Sequence, residues 1–246
     1  MNTNTILHGK RVATLTLGCK VNQYETEGMR ELLEAAGCQF VAFEEEADIY
    51  LVNTCSVTNI AERKSRQMLH KAKKENSKAT VVAVGCYVET GIDGVKKDEC
   101  IDLAVGNNKK SEIVDILNEF MGAKADLDDK TLNGSSIIDI NNTHEYENMT
   151  LTQMPEHTRA YIKIQDGCNQ FCSYCAIPLA RGRVRSRGEA EILQEIRGMV
   201  KAGYREGVLT GIHISSYGID LDGQHYAGSS RLIDLIEISL QYLISS

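Results

Sequence analysis

The sequence has no phosphate-binding loop of the P-loop type and no Ser/His/Asp nucleophile arrangement, so triphosphate hydrolysis and triad chemistry are set aside. Its amino terminus, Met1-Asn2-Thr3-Asn4-Thr5, lacks the basic and apolar pattern of a secretory signal. No apolar run approaches the roughly 20 residues of a membrane span. Positive charge is not in excess either: 27 Lys and Arg stand against 34 Asp and Glu, a net charge of −7, which does not advertise nucleic-acid binding. These absences predict a cytoplasmic globular protein with no membrane partner. In a reducing compartment its eight cysteines are expected to hold metal rather than form disulfides. The 246 residues suffice for one large or two ordinary domains.

The most informative stretch is Asp166-Gly167-Cys168-Asn169-Gln170-Phe171-Cys172-Ser173-Tyr174-Cys175. Its three cysteines follow the spacing C-x3-C-x2-C. Three thiolates on one short loop can hold three irons of a [4Fe–4S] cluster and leave the fourth iron open to a small molecule. Electron-transfer clusters usually take four cysteines. A structural zinc site wants a fourth Cys or His nearby, and the next histidine along the chain is His213.

The first half alternates strands and helices. Strands are expected at 11–17, 48–52, 80–84 and 101–105, rich in β-branched residues. Helical spacing of apolar residues marks 23–36, 60–75 and 111–121. The pattern implies an α/β fold: a doubly wound parallel sheet. Cys19, Cys55 and Cys86 each fall just past a predicted strand, where the loops of an open parallel sheet line its binding crevice. Their convergence on one metal site is expected. Cys38 and Cys100 lack this placement and are read as structural.

Residues 122–157 read as an acidic linker, with seven Asp and Glu against Lys124 and Lys130. Ile137-Ile138 is a candidate edge strand within it. The domains are thus 1–121 and 158–246. In the second, 159–165 and 207–214 read as strands and 189–201 and 231–243 as helices, the opening of an α/β barrel whose chemistry sits at the carboxyl ends of its strands.

Two basic stretches remain. The helix from Ile60 carries Arg63, Lys64, Arg66, Lys71, Lys73 and Lys74, either a solvated face or a phosphate-contact surface. Arg181, Arg183, Arg185 and Arg187 alternate, so an extended backbone would align them on one side, as a surface ladder or an anion grip.

The cysteine loop, with Tyr174 just before its last Cys, resembles the radical S-adenosylmethionine (SAM) superfamily. Leu17-Gly18-Cys19-Lys20-Val21-Asn22-Gln23-Tyr24-Glu25, Asn53-Thr54-Cys55-Ser56-Val57-Thr58 and Val84-Gly85-Cys86-Tyr87 resemble the amino-terminal domain of the methylthiotransferases. The Lys20-Val21-Asn22-Gln23 wording is most similar to the branch that modifies threonylcarbamoyladenosine in tRNA beside the anticodon. The branches acting on isopentenyladenosine or on a ribosomal protein are the alternatives, as is a non-catalytic iron–sulfur or RNA-binding scaffold.

The resemblance implies two [4Fe–4S] clusters and SAM as cofactors. Cys168, Cys172 and Cys175 would hold the cluster that cleaves SAM to a 5′-deoxyadenosyl radical, and Cys19, Cys55 and Cys86 an auxiliary cluster that handles sulfur. Tyr174, Arg183, Thr210 and Gly211 are candidates for holding SAM. The implied partners are tRNA and a flavodoxin-like or ferredoxin-like reductant. The family's catalytic domain resembles a partial barrel of about six strand–helix units, and 158–246 has room for two. The chain is therefore expected to be carboxy-terminally truncated and inactive alone, or completed by a second chain. On this reading a protease leaves a resistant core ending near Gly122.

Overall fold

The computed structural model describes residues 6–126, 134–154, 158–221 and 231–244. The first half runs β1 (Arg11–Thr16), α1 (Lys20–Ala35), β2 (Gln39–Val41), β3 (Ile49–Thr54), α2 (Asn59–Glu75), β4 (Thr80–Gly85), α3 (Cys86–Thr90), α4 (Ile92–Lys97), β5 (Leu103–Val105), α5 (Ile113–Asp126) and β6 (Gly134–Ser136). Its six strands are all parallel, in the order β2-β1-β3-β4-β5-β6.

Both faces of this sheet are covered, as the near-continuous Val, Ile and Leu of β3 and β4 require. One face packs on Leu69 and Ala72 of α2, Tyr87 and Val88 of α3 and Val95 of α4. The other packs on Met29 and Leu33 of α1 and Ile113, Leu117 and Phe120 of α5. This is the doubly wound arrangement expected from the alternation. The strand order reverses at β1, so the crevice lies at the carboxyl ends of β1, β3 and β4.

The second half runs β7 (Ala160–Lys163), β8 (Gln165–Asp166), α6 (Ile177–Arg181), β9 (Arg185–Ser186), α7 (Glu189–Lys201), β10 (Gly207–Thr210) and α8 (Arg231–Ile244). β7 and β10 pair in parallel around the crossover helix α7, and Ile162, Ile164, Ile192, Ile196 and Leu235 form their core. The strand expected over 207–214 stops at Thr210, because the chain there turns back onto Gln165 and then enters a 3-10 turn at Ile214–Ser216.

The acidic stretch contributes structure of its own. Its edge strand is Gly134–Ser136, just before Ile137-Ile138, and it extends the sheet beside β5. Met149, Leu151 and Met154 are buried with Tyr24 of α1, Ala160 of β7 and Met199 of α7 in a core shared by both halves. Tyr24 donates its hydroxyl proton to the Met149 carbonyl, and Glu31 of α1 accepts from the backbone of Thr152 and Gln153. A resistant core ending near Gly122 does not follow from this architecture, because the apolar interface ties α1 to β7 and α7. Among the described residues, no helix is long and apolar enough to cross a membrane.

Candidate metal centres

Cys19, Cys55 and Cys86 follow β1, β3 and β4, three neighbouring strands, and the sheet brings them together. Gly18 has a φ of +102°, and a Cβ there would lie 3.0 Å from Cys55 Sγ. The first cysteine loop therefore lies directly against the second, at a distance only glycine permits. Asn22, one turn into α1, ties the loops together: its Nδ2 donates to the carbonyls of Leu17 (2.7 Å) and Thr54 (3.0 Å). Thr54 Oγ1 donates to Val84 O (2.5 Å), linking the loops of Cys55 and Cys86. Ser65 of α2 accepts from Cys55 N (3.1 Å) and donates to Cys55 O (3.0 Å). Cys19 occupies the N-cap position of α1 without a side-chain capping bond, at the helix end whose positive pole favours an anionic centre. Burial, reinforced by the neighbouring Cys86 and Cys19, pushes the Cys55 thiol up.

The second centre sits on the loop between β8 and α6. Cys168 N donates to Gly182 O (3.1 Å), and Cys175 N to Cys172 O (2.9 Å). Gly167 has a φ of +71°, and a Cβ there would run into the Arg183 carbonyl. Asn169 Oδ1 accepts from Val184 N (3.1 Å). The Arg183 guanidinium lies 4.2 Å from the Phe171 ring centroid, so it clamps the cysteine loop from outside. Tyr174 is 90% exposed. Thr210 is buried at the end of β10, where its carbonyl accepts from Ile164 N (2.9 Å).

Gln165 joins the SAM candidates of β10 to the cysteine loop. Its Nε2 donates to the carbonyls of Asp166 (2.6 Å) and Gly167 (2.7 Å), and its Oε1 accepts from Ile212 N (3.0 Å) and His213 N (2.8 Å). A Cβ on Gly211 would lie 3.0 Å from that Oε1, so the turn is pressed onto Gln165.

The alternating arginines are not a surface row. Gly182, with φ +68°, breaks the extended run, and Arg181 ends α6. Arg181, Arg185 and Arg187 are fully buried, and only Arg183 is exposed. Arg187 pairs with Glu195 of α7, and burial pushes the Glu195 carboxyl up to about 7 even beside that cation.

Arg181 enters a buried network between the two centres. It contacts both oxygens of Glu25 in α1 (2.6 and 3.0 Å) and Asp166 Oδ2 (3.0 Å). Glu25 also receives Lys163 (2.6 Å) and Lys110. Lys110 donates to Asn107 Oδ1 (2.6 Å), and Asn107 Nδ2 reaches Ala180 O (2.7 Å) and lies 3.9 Å from Cys86 Sγ. Burial opposes ionisation of Glu25, yet Arg181, Lys110 and Lys163 hold it well below the carboxylate range. Asp166 is depressed for the same reason: Arg181, Lys163 and Arg185 outweigh its burial.

Sequence reasoning missed Asn22, Glu25, Asn107, Lys110, Lys163 and Gln165 as site residues. One signal was present: Asn22 and Glu25 recur at three-residue spacing after Cys19, on the helix face that continues with Met29 and Leu33 into the core.

Four-coordinate zinc needs its ligands close together, with Zn–S about 2.3 Å. Among the described residues, neither cysteine trio draws its sulfurs within 4.8 Å of one another. That separation does not suit a preformed single-ion site, and thiols are the donors an iron–sulfur cluster takes. The one trio of possible ligands that is so close is His70, Asp98 and Cys100. There Asp98 is already occupied, accepting from Cys100 N (3.0 Å) and lying 2.7 Å from His70 Nε2.

Residues 11–106 match the model of an uncharacterized protein family, UPF0004, and residues 162–240 match the radical SAM superfamily. The chain is 38% identical over 216 residues to the threonylcarbamoyladenosine tRNA methylthiotransferase MtaB of Bacillus subtilis, covering 88% of the chain and 46% of that protein. It is 38% identical to the MtaB of Aquifex aeolicus over 96% of the chain and 56% of that protein.

The chain is thus similar to radical SAM methylthiotransferases along most of its length.

Another relative, the tRNA-2-methylthio-N(6)-dimethylallyladenosine synthase of Oceanobacillus iheyensis, is 30% identical over 95% of the chain and 44% of that protein. The chain thus spans about half the length of the curated relatives it matches. Among solved structures it is similar to the radical SAM methyltransferase TsrM of Kitasatospora setae, with a TM-score of 0.60 at 11% identity, covering 97% of the chain and 52% of that structure. At that identity the likeness concerns the fold.

Proposed function

We propose that this chain provides the two cluster-binding halves of a tRNA methylthiotransferase that converts N6-threonylcarbamoyladenosine beside the anticodon to its 2-methylthio derivative. The carrying observation is the pairing of two three-cysteine centres through one buried network, in a chain whose relatives bear that name at 38% identity. The relative named for the dimethylallyladenosine reaction matches at 30%, which favours the threonylcarbamoyl branch.

Both centres offer three free thiols, the donors that iron–sulfur clusters take. Cys19, Cys55 and Cys86 would hold one [4Fe–4S] cluster and Cys168, Cys172 and Cys175 the other. When bound, the second cluster with SAM supplies one-electron cleavage chemistry, and the first handles the sulfur that is transferred. The protein's own part is positional. Gln165 holds the cysteine loop against the turn at Thr210-Gly211, where SAM would be seated, and Arg183 braces the same loop through Phe171. An electron donor of the flavodoxin or ferredoxin type would reach the exposed Cys172 side.

Mass spectrometry of tRNA from a strain lacking the gene tests the substrate. Loss of the 2-methylthio group from threonylcarbamoyladenosine, restored by complementation, supports the proposal. Its loss from isopentenyladenosine instead overturns the branch.

A further inference from the structure

Arg181 belongs to the second half of the chain, six residues after Cys175, yet its surroundings belong to the first centre. Its Nη2 donates to Asn22 Oδ1, the same oxygen that lies 4.0 Å from Cys19 Sγ. Asn22 in turn holds the carbonyls of Leu17 and Thr54, beside Cys19 and Cys55. The guanidinium lies within electrostatic reach of Cys86 and Cys55. Next to it, the Ala180 carbonyl takes the hydrogen bond of Asn107, whose amide also faces Cys86 Sγ. Cys19 is thus linked to this cation through Asn22, while Asn107 links Cys86 to the backbone beside it.

The charge around Arg181 has an excess on the positive side. Four buried cations, Lys110, Lys163, Arg181 and Arg185, contact or face the carboxylates of Glu25 and Asp166, and the buried Glu147 also acts on Lys163, so four positive charges face three carboxylates. Glu89, which burial pushes up to about 7, is a weak further counter-charge. Arg181 Nε and Arg185 Nε and Nη2 are buried with no hydrogen-bond partner. Unpaired buried cationic N–H groups are costly unless an anion lies near. A thiolate-ligated cluster is such an anion, and reduction makes it more negative by one charge.

Resting on the reading that Cys19, Cys55 and Cys86 hold a cluster, we propose that Arg181 is a positioning residue of that first centre. Its fixed positive charge, delivered across the interface by the second half, raises the reduction potential of the cluster. The two halves are then linked electrostatically as well as by packing, because the first centre reaches its working potential only with α6 docked. Hydrogen bonds and charge around cluster sulfurs are general determinants of such potentials.

The test is a redox titration of the reconstituted chain followed by electron paramagnetic resonance, using the signal that disappears in Cys19→Ala. Arg181→Gln should shift that signal to lower potential. Glu25→Gln removes a neighbouring negative charge and should shift it to higher potential. Mere loosening of the interface would move both variants the same way, so opposite signs support the proposal. Arg181→Lys keeps the charge and should load its cluster with a potential near that of the parent chain; it remains informative if Arg181→Gln does not fold. Shifts of the same sign, no shift, or a lysine variant that behaves like glutamine would overturn the inference while leaving the cluster assignment intact. If instead Cys19→Ala removes neither iron nor a signal, the cluster assignment itself fails and the role of Arg181 with it.

Discussion

Arg181 of α6 and Glu25 of α1 form a two-pronged ion pair, at 2.6 and 3.0 Å, although 156 residues separate them in sequence. Each lies one or two turns from a cysteine centre. The contact is buried, so its worth depends on complete pairing. Removing one partner of such a pair leaves charge stranded and costs about 3–5 kcal/mol.

Glu25→Ala leaves Lys110 without its carboxylate and Arg181 and Lys163 to share Asp166. Denaturant unfolding should show the chain destabilised by about 3–5 kcal/mol. A loss below about 1 kcal/mol, the range of exposed pairs, would contradict the network.

The same carboxylates set an acid limit. Glu25 and Asp166 are depressed in the folded protein, because the surrounding cations outweigh burial. The folded state therefore binds fewer protons than the unfolded state below about pH 5. Their stabilisation is fully present above the unfolded carboxylate range of about 4 and is lost as pH falls through and below it. Urea midpoints should rise with pH from pH 3 to about 5, before the raised carboxyls of Glu89 and Glu195 oppose any further gain toward pH 7, and Glu25→Gln should flatten the acid-side rise. An equally steep profile in that variant would assign the acid sensitivity elsewhere.

Much of the first half was legible in the sequence, because its information is local. Runs such as Thr80–Val84 announce strands, and the Gly-Cys pairs at their ends mark a crevice whose position follows from parallel topology. The arginines were not legible. Alternation from Arg181 to Arg187 suggests one exposed edge, but a positive-φ Gly182 and partners as distant as Glu25 and Glu195 reverse the outcome. α3 was missed for a related reason. It has five residues, too few for a periodic signal, and its helix begins at Cys86 itself. Long-range pairing of buried charges has no sequence period, so only the fold reveals it.

Gln165 makes a separable prediction. Gln165→Leu leaves two backbone carbonyls and two backbone N–H groups without their partner, at about 1–3 kcal/mol for a stranded buried group. SAM cleavage under dithionite should fall, while the iron held by Cys19, Cys55 and Cys86 stays. Undiminished cleavage would remove Gln165 from the positioning of the SAM side.

The roles proposed for the two cysteine trios predict two different defects. In the complete enzyme, replacing Cys168, Cys172 and Cys175 by Ala should abolish SAM cleavage. Replacing Cys19, Cys55 and Cys86 should leave cleavage and stop methylthiolated product. Product from the second variant would show that the first centre has no part in sulfur handling.

Iron analysis decides whether one chain builds two cluster sites. After anaerobic reconstitution the chain should contain about eight irons and eight sulfides, the content of two [4Fe–4S] clusters. Each triple cysteine variant should retain about four of each. About four irons in the unaltered chain, with no loss when Cys19, Cys55 and Cys86 are replaced, would mean that the first half holds no cluster.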